Sequence, residues 1–280
     1  MRARGIDFAS NVTGQGEGPT LLWGHALMGS IHQEDESGIM PWGSLRPDTR
    51  VVRWDARGHG ASEAPLVDDD YRWPELATDL WAIADGFEVE AAVVGGVSMG
   101  AGTALHAAMQ APERTLGLVL MAPPTAWASR PRQAQIYRGT AKLIEMIGLG
   151  PLRWMGELAA YAARNDSLAK LQRSVMRGLR TADPRAVQCA MRGAALSDLP
   201  AAESLEKLEV PTLILAWPGD SSHPLSTANE LKARLPDARL EVAGKTSDIE
   251  EWPELLQSFM DSLHVEDCTA EPRRTNSLGR

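Results

Sequence analysis

The chain reads as an α/β protein, a mostly parallel central sheet with helices on both faces and a helical insertion late in the chain. Three observations predict this. Short unbroken apolar runs (Thr20-Leu21-Leu22-Trp23, Ala91-Ala92-Val93-Val94, Leu116 to Met121, Pro211 to Trp217) have the length and character of strands buried on both faces. Helical segments separate several of them, the rhythm of strand-helix-strand units. From 124 to 206 that rhythm stops, and no strand pattern appears.

Taken in order, residues 1–19 alternate weakly and end in Gly14-Gln15-Gly16-Glu17-Gly18-Pro19, which predicts one or two edge strands and a turn. Thr20–Trp23 is a buried strand that runs into the loop Gly24–Ser30, and Ser30–Asp35 reads as solvated loop. Arg50–Asp55 is the second strand, followed by Arg57-Gly58-His59-Gly60-Ala61-Ser62. Pro74–Phe87 is a helix with Leu76, Leu80, Ile83 and Ala84 on one face. The next strand passes through Gly95-Gly96-Val97-Ser98 into a helix from Met99 to about Gln110, which Pro112 stops. Leu116–Met121 is another buried strand. Helices are expected around Pro131–Ile147, Leu152–Ala163, Ser167–Arg180 and Pro184–Ala195. The sheet resumes at Pro211–Trp217, followed by a helix at Leu225–Leu235, a strand at Arg239–Ala243 and a last helix from Trp252 to Leu263. The expected division is a core of residues 1–123 and 207–264, a helical cap at 124–206, and a polar, disordered tail at 265–280.

Composition narrows the function classes. A chain of 280 residues, 44% hydrophobic, is long enough for one well-filled core. A net charge of -9 argues against nucleic acid as a partner. No stretch approaches the ~20 apolar residues of a membrane span, and Met1-Arg2-Ala3-Arg4-Gly5-Ile6-Asp7 has no apolar leader core, so neither a membrane nor a secretory route is expected. Cys189 and Cys268 form no metal-binding pattern and no disulfide framework, which fits a reducing cytoplasm. The charge is unevenly spread. Residues 129–200 hold twelve basic and five acidic side chains, a local excess of seven that leaves -16 to the remainder.

Gly96-Val97-Ser98-Met99-Gly100 sits where a buried strand meets a helix, and in that context its G-x-S-x-G spacing is a nucleophile elbow. A serine on so sharp a turn adopts strained backbone, and side chains two positions to either side would strike neighbouring backbone. The turn lifts the hydroxyl clear of the sheet and aims the first helical N–H groups at the same space.

Three further patterns accompany the elbow: Trp23-Gly24-His25-Ala26-Leu27, Asp55-x-Arg57-Gly58-His59-Gly60-x-Ser62, and Gly219-Asp220-x-x-x-Pro224 after a late strand. With these four signals in this order, roughly residues 5–264 resemble an α/β-hydrolase of the cap-bearing esterase, lactonase and iminopeptidase type. The resemblance implies Ser98 as nucleophile, Asp220 as triad acid, and the backbone N–H groups of Leu27 and Met99 as oxyanion donors, with Ala26 in a position that is usually glycine. It implies no cofactor and no metal.

The chain departs from that family where the catalytic histidine belongs, between the last strand and the final helix. The loop reads Gly244-Lys245-Thr246-Ser247-Asp248-Ile249, with the vacant place near Thr246. Six histidines can be weighed as substitutes. His264 lies roughly 18 Å down the final helix and His106 about 12 Å along the elbow helix, at 1.5 Å per residue. His59 belongs to the Arg-Gly-His-Gly turn, His25 to the oxyanion loop and His32 to a solvated loop. His223, three residues after Asp220, lies on a loop the family turns toward the site. The sequence therefore points to a triad Ser98–Asp220–His223 in a serine hydrolase that cleaves a small ester or lactone through an acyl-enzyme. The alternative is a non-hydrolytic pseudoenzyme or ligand-binding protein on the same frame. Carbon–carbon or amide cleavage would use the same parts. Trp127, Tyr137, Trp154, Tyr161, Met146, Met155, Met176 and Met191 are candidates for helix packing or for an adaptable apolar pocket in the cap.

Overall fold

A computed structural model describes residues 1–16, 18–154 and 167–267. Strands β1 (Arg2–Ala3) and β2 (Ile6–Asp7) form a small antiparallel hairpin. The main sheet comprises β3 (Ser10–Thr13), β4 (Thr20–Gly24), β5 (Val51–Trp54), β6 (Ala92–Val97), β7 (Thr115–Met121), β8 (Thr212–Ala216) and β9 (Ala238–Val242). Its order is β3-β5-β4-β6-β7-β8-β9, with β3 antiparallel and all other pairings parallel. The helices are α1 (Ile31–Ser37), α2 (Trp73–Gly86), α3 (Met99–Gln110), α4 (Arg130–Ile147), α5 (Ser167–Gly178), α6 (Pro184–Ala195), α7 (Ala202–Leu205), α8 (Leu225–Arg234), α9 (Thr246–Ile249) and α10 (Trp252–Asp267).

The apolar runs are continuous because both sheet faces are buried, and alternate residues serve opposite faces. Leu22, Val52, Val94, Leu118 and Ile214 pack with Leu76, Leu80, Leu105 and Leu231 of α2, α3 and α8. Leu21, Val51, Val93, Val119 and Leu213 pack with Trp252, Leu256 and Met260 of α10 and with Trp42. β4, β6, β7 and β8 are sheet neighbours running in one direction, so the loops that follow them emerge side by side at one edge.

Between β7 and β8 the described residues contain helices and no strand. α4 packs on α6. Ala141, Ile144, Leu149, Leu179, Val187 and Met191 form a separate apolar cluster, against which Leu27 and Met28 of the loop after β4 are packed. Arg130 at the start of α4 is buried. Its Nε donates to the Ser197 carbonyl at 2.7 Å, its Nη2 to the Ala194 carbonyl, and its guanidinium lies 4.3 Å from the Trp73 ring centroid. These carbonyls close the C-terminal end of α6, where a cation is favoured.

Two helices lie where the sequence suggests loop. α1 starts at Ser30, whose hydroxyl accepts the Gln33 N–H at 3.3 Å, and ends at Gly38 in left-handed backbone. Its charged run shows no apolar period, so its caps are its only signal. His32 therefore stands on a helix. The one-turn α9 covers the histidine-free segment. α10 extends to Asp267, past the expected end at Leu263. Most of the helix expected at 152–163, the residues Met155 and Tyr161, and the expected tail from 268 onward lie outside the described residues. Among the described residues no helix is long and apolar enough to cross a membrane.

Candidate active site

Ser98 ends β6 and caps α3 with φ 56° and ψ -107°, a conformation that L-residues rarely adopt. Its surroundings enforce that backbone. A Cβ on Gly96 would lie 2.4 Å from the Gly24 carbonyl oxygen, and one on Gly100 would lie 1.9 Å from the same atom. Glycine at both positions lets α3 lie directly against the end of β4, which brings the loop after β4 beside the serine.

Asp220 and His223 lie on the turn after β8. The Asp220 Oδ1 accepts the Ser222 N–H at 2.8 Å, and Oδ2 lies 2.7 Å from His223 Nδ1. The His223 Nε2 lies 2.7 Å from Ser98 Oγ. With Nδ1–H donated to the carboxylate, Nε2 is left as an acceptor for the serine hydroxyl. Ser98 is 7% exposed, and the His223 and Asp220 side chains are 20% and 31% exposed. Partial burial works against ionisation of Asp220, but the hydrogen bond and charge of His223, with the Ser222 and His223 N–H groups, outweigh it and hold the carboxyl below its usual range. The arrangement can move a proton from a buried hydroxyl to an imidazole that a carboxylate orients.

Met99 supplies the first N–H of α3, and Leu27 lies in the turn after β4 that the Gly29 N–H closes by donating to the Ala26 carbonyl at 2.8 Å. Among the described residues neither the Met99 nor the Leu27 N–H is taken by an acceptor. That loop is braced from the neighbouring strand. His25 Nδ1–H donates to the Ala26 carbonyl at 2.7 Å, and its Nε2 accepts the Ala56 N–H at 2.9 Å. Both ring nitrogens are used in the neutral form, and burial lowers the His25 pKa to about 4. Burial, with His25 5.1 Å away, lowers His59 to about 3. Asp55 accepts the N–H groups of Ile31 at 2.7 Å and Ala61 at 2.9 Å, while Arg57 is paired with buried Asp79 through two bonds of 2.7 and 2.6 Å. The Asp-x-Arg-Gly-His-Gly-x-Ser stretch is therefore a brace for the loop.

Among the described contacts, the histidine that meets Ser98 is His223. The His106 Nε2 is engaged with the Asp198 carbonyl at 2.9 Å. His32 borders a cavity of about 430 Å³ between α1, the Gly58–Ser62 turn and the α5–α6 connection. His264 lies on α10, and its side chain is outside the described residues. Two site neighbours escaped the sequence reading. Trp217 has its ring centroid 6.2 Å from that of His223 and stacks on Trp252 at 5.7 Å. The Thr125 N–H donates to the Ser222 carbonyl at 3.0 Å. The position of Trp217, two residues before Gly219-Asp220, was the one available signal; Thr125 acts through its backbone and gave none.

Residues 19–249 match the family model described as alpha/beta hydrolase fold. The chain is similar to 3-oxoadipate enol-lactonase 2 of Acinetobacter baylyi, with 26% identity over 85% of this chain and 86% of that protein. It is 28% identical to a pimeloyl-[acyl-carrier protein] methyl ester esterase of Nitrosomonas europaea, over 80% of this chain and 86% of the relative. Among solved structures, a thermophilic esterase from Thermogutta terrifontis superposes with a TM-score of 0.74 at 21% identity, covering 92% of this chain and 94% of the other.

Proposed function

The chain belongs to the α/β-hydrolase fold family, and on that premise we propose that it is a serine hydrolase that cleaves a small ester or lactone through an acyl-enzyme. The observation that carries this reading is the 2.7 Å approach of His223 Nε2 to Ser98 Oγ. Ser98 Oγ attacks the carbonyl carbon as its proton passes to His223 Nε2, and Asp220 stabilises the imidazolium through Nδ1–H. The charge that develops on the carbonyl oxygen meets the N–H groups of Leu27 and Met99. Collapse breaks the carbon–oxygen bond, and the leaving alkoxide takes the proton from Nε2. Water then repeats the sequence on the acyl-enzyme and restores Ser98. In a lactone the leaving oxygen stays tethered to the acyl group, so one product results.

The substrate class draws support from relatives named for a lactonase and a methyl ester esterase. The ligand-binding alternative rested on the missing base, and an imidazole in contact with Ser98 weighs against it. A buried free thiol at Cys189 is consistent with the cytoplasm as its compartment. Turnover of p-nitrophenyl acetate tests the assignment. Ser98→Ala is expected to leave only background hydrolysis, and His223→Ala to lower kcat by ~10³-fold or more, because members of such a unit fail together. A near-full rate in His223→Ala would contradict the assignment of the base.

A further inference from the structure

The Asp220–His223 turn is stiff within itself. Asp220 holds the Ser222 N–H and the His223 ring, and the His223 N–H donates back to the Asp220 carbonyl at 3.3 Å. Its position relative to Ser98 is a separate matter. Among the described residues, hydrogen bonds reach residues 220–223 from elsewhere only from Ser98 and from the Thr125 N–H. Thr125 follows β7, on one side of β8. Between the packed ends of β8 and α8 that is one lateral backbone bond, which leaves the placement of the His223 ring against Ser98 to side-chain packing.

We propose that Trp217 is a positioning residue for His223, a wall beside the imidazole that keeps Nε2 against Ser98. The proposal rests on the reading of His223 as the base. The indole and imidazole planes are inclined at 58° with centroids 6.2 Å apart. Behind Trp217 stands Trp252, stacked on it at 26° and only 1% exposed, at the first residue of α10. Trp252 belongs to the buried apolar cluster that also holds Ala243, Ile249 and Leu256. The segment from β9 to α10 is where the family resemblance puts a histidine. In this chain that segment supplies apolar side chains, which back a tryptophan that backs the relocated imidazole.

The test is a double-mutant cycle on p-nitrophenyl acetate with Trp217→Ala, Trp217→Leu, Trp217→Phe, His223→Ala and the Trp217→Ala/His223→Ala pair. Trp217→Ala and Trp217→Leu are expected to lower kcat by about 10–100-fold, the scale of a misplaced catalytic group. KM should stay within about twofold, the pattern of a residue that acts through the imidazole and not on the substrate. Trp217→Phe, which keeps a flat ring, should recover most of the loss. In the His223→Ala background Trp217→Ala should change the residual rate by less than about twofold, because its effect runs through the imidazole. Should Trp217→Ala fail to fold, Trp217→Leu retains apolar bulk and carries the test. A wild-type kcat in Trp217→Leu, or an equal loss in both backgrounds, would overturn the positioning role. A His223→Ala enzyme of near-full rate would instead sink the base assignment on which the role depends.

Discussion

Glu34 is buried beneath the loop after β4, where its Oε1 accepts the Trp23 Nε1–H at 3.2 Å. Burial pushes its pKa up from 4.5 to about 7, against the opposing pull of Trp23 and Arg53. Between those values the unfolded chain has released the proton and the folded chain has not, so stability falls as pH rises from about 4.5 through 7. Glu34→Gln keeps an acceptor for Trp23 and removes the titration. It should raise stability at pH 8 by about 1–3 kcal/mol over the native chain and by little at pH 4.5, as read from urea unfolding at both values. His25 and His59 act in the opposite sense. Their pKa values are depressed in the fold, so their contribution is present above pH 6.5 and is lost as pH falls toward 4 and 3. The meeting of Ser98, Asp220 and His223 was legible because the elbow and the Gly219-Asp220 turn carry fixed local spacings and His223 stands three residues after Asp220. Glu34 and Trp217 were not, because burial and stacking depend on residues far away in the chain.

The strand-to-helix turn at Ser98 depends on glycine on either side. Gly96→Ala and Gly100→Ala would each drive a methyl into the Gly24 carbonyl. Both should cost about 3 kcal/mol or more or prevent folding, as monitored by thermal unfolding. Gly139 supplies the contrast, since it lies inside α4 with open space where a Cβ would project. Gly139→Ala should stabilise by about 0.5–1 kcal/mol. Helices with an apolar stripe and a proline or cap signal, such as α3 and α6, were legible nearly to the residue. α1 was not, because in seven mostly polar residues the periodic signal is too short to register, and only Ser30 and Gly38 mark its ends.

At the scale of the molecule, strand identity and direction followed from the sequence, but the lateral order of the sheet did not, since it depends on which distant strands pair. That order matters to function. It sets the ends of β4, β6, β7 and β8 side by side, so Leu27, Ser98, Thr125 and His223 converge on one edge. Four separate stretches therefore make one site, with His223 and Asp220 on a single turn. Acyl transfer at Ser98 requires that this turn activate its hydroxyl. Labelling by a fluorophosphonate, with the modified peptide mapped by mass spectrometry, tests that requirement most directly. The native protein should be modified at Ser98, and His223→Ala should react ~10²-fold or more slowly. A native protein that stays unlabelled, or a His223→Ala protein labelled as fast as the native one, would contradict it.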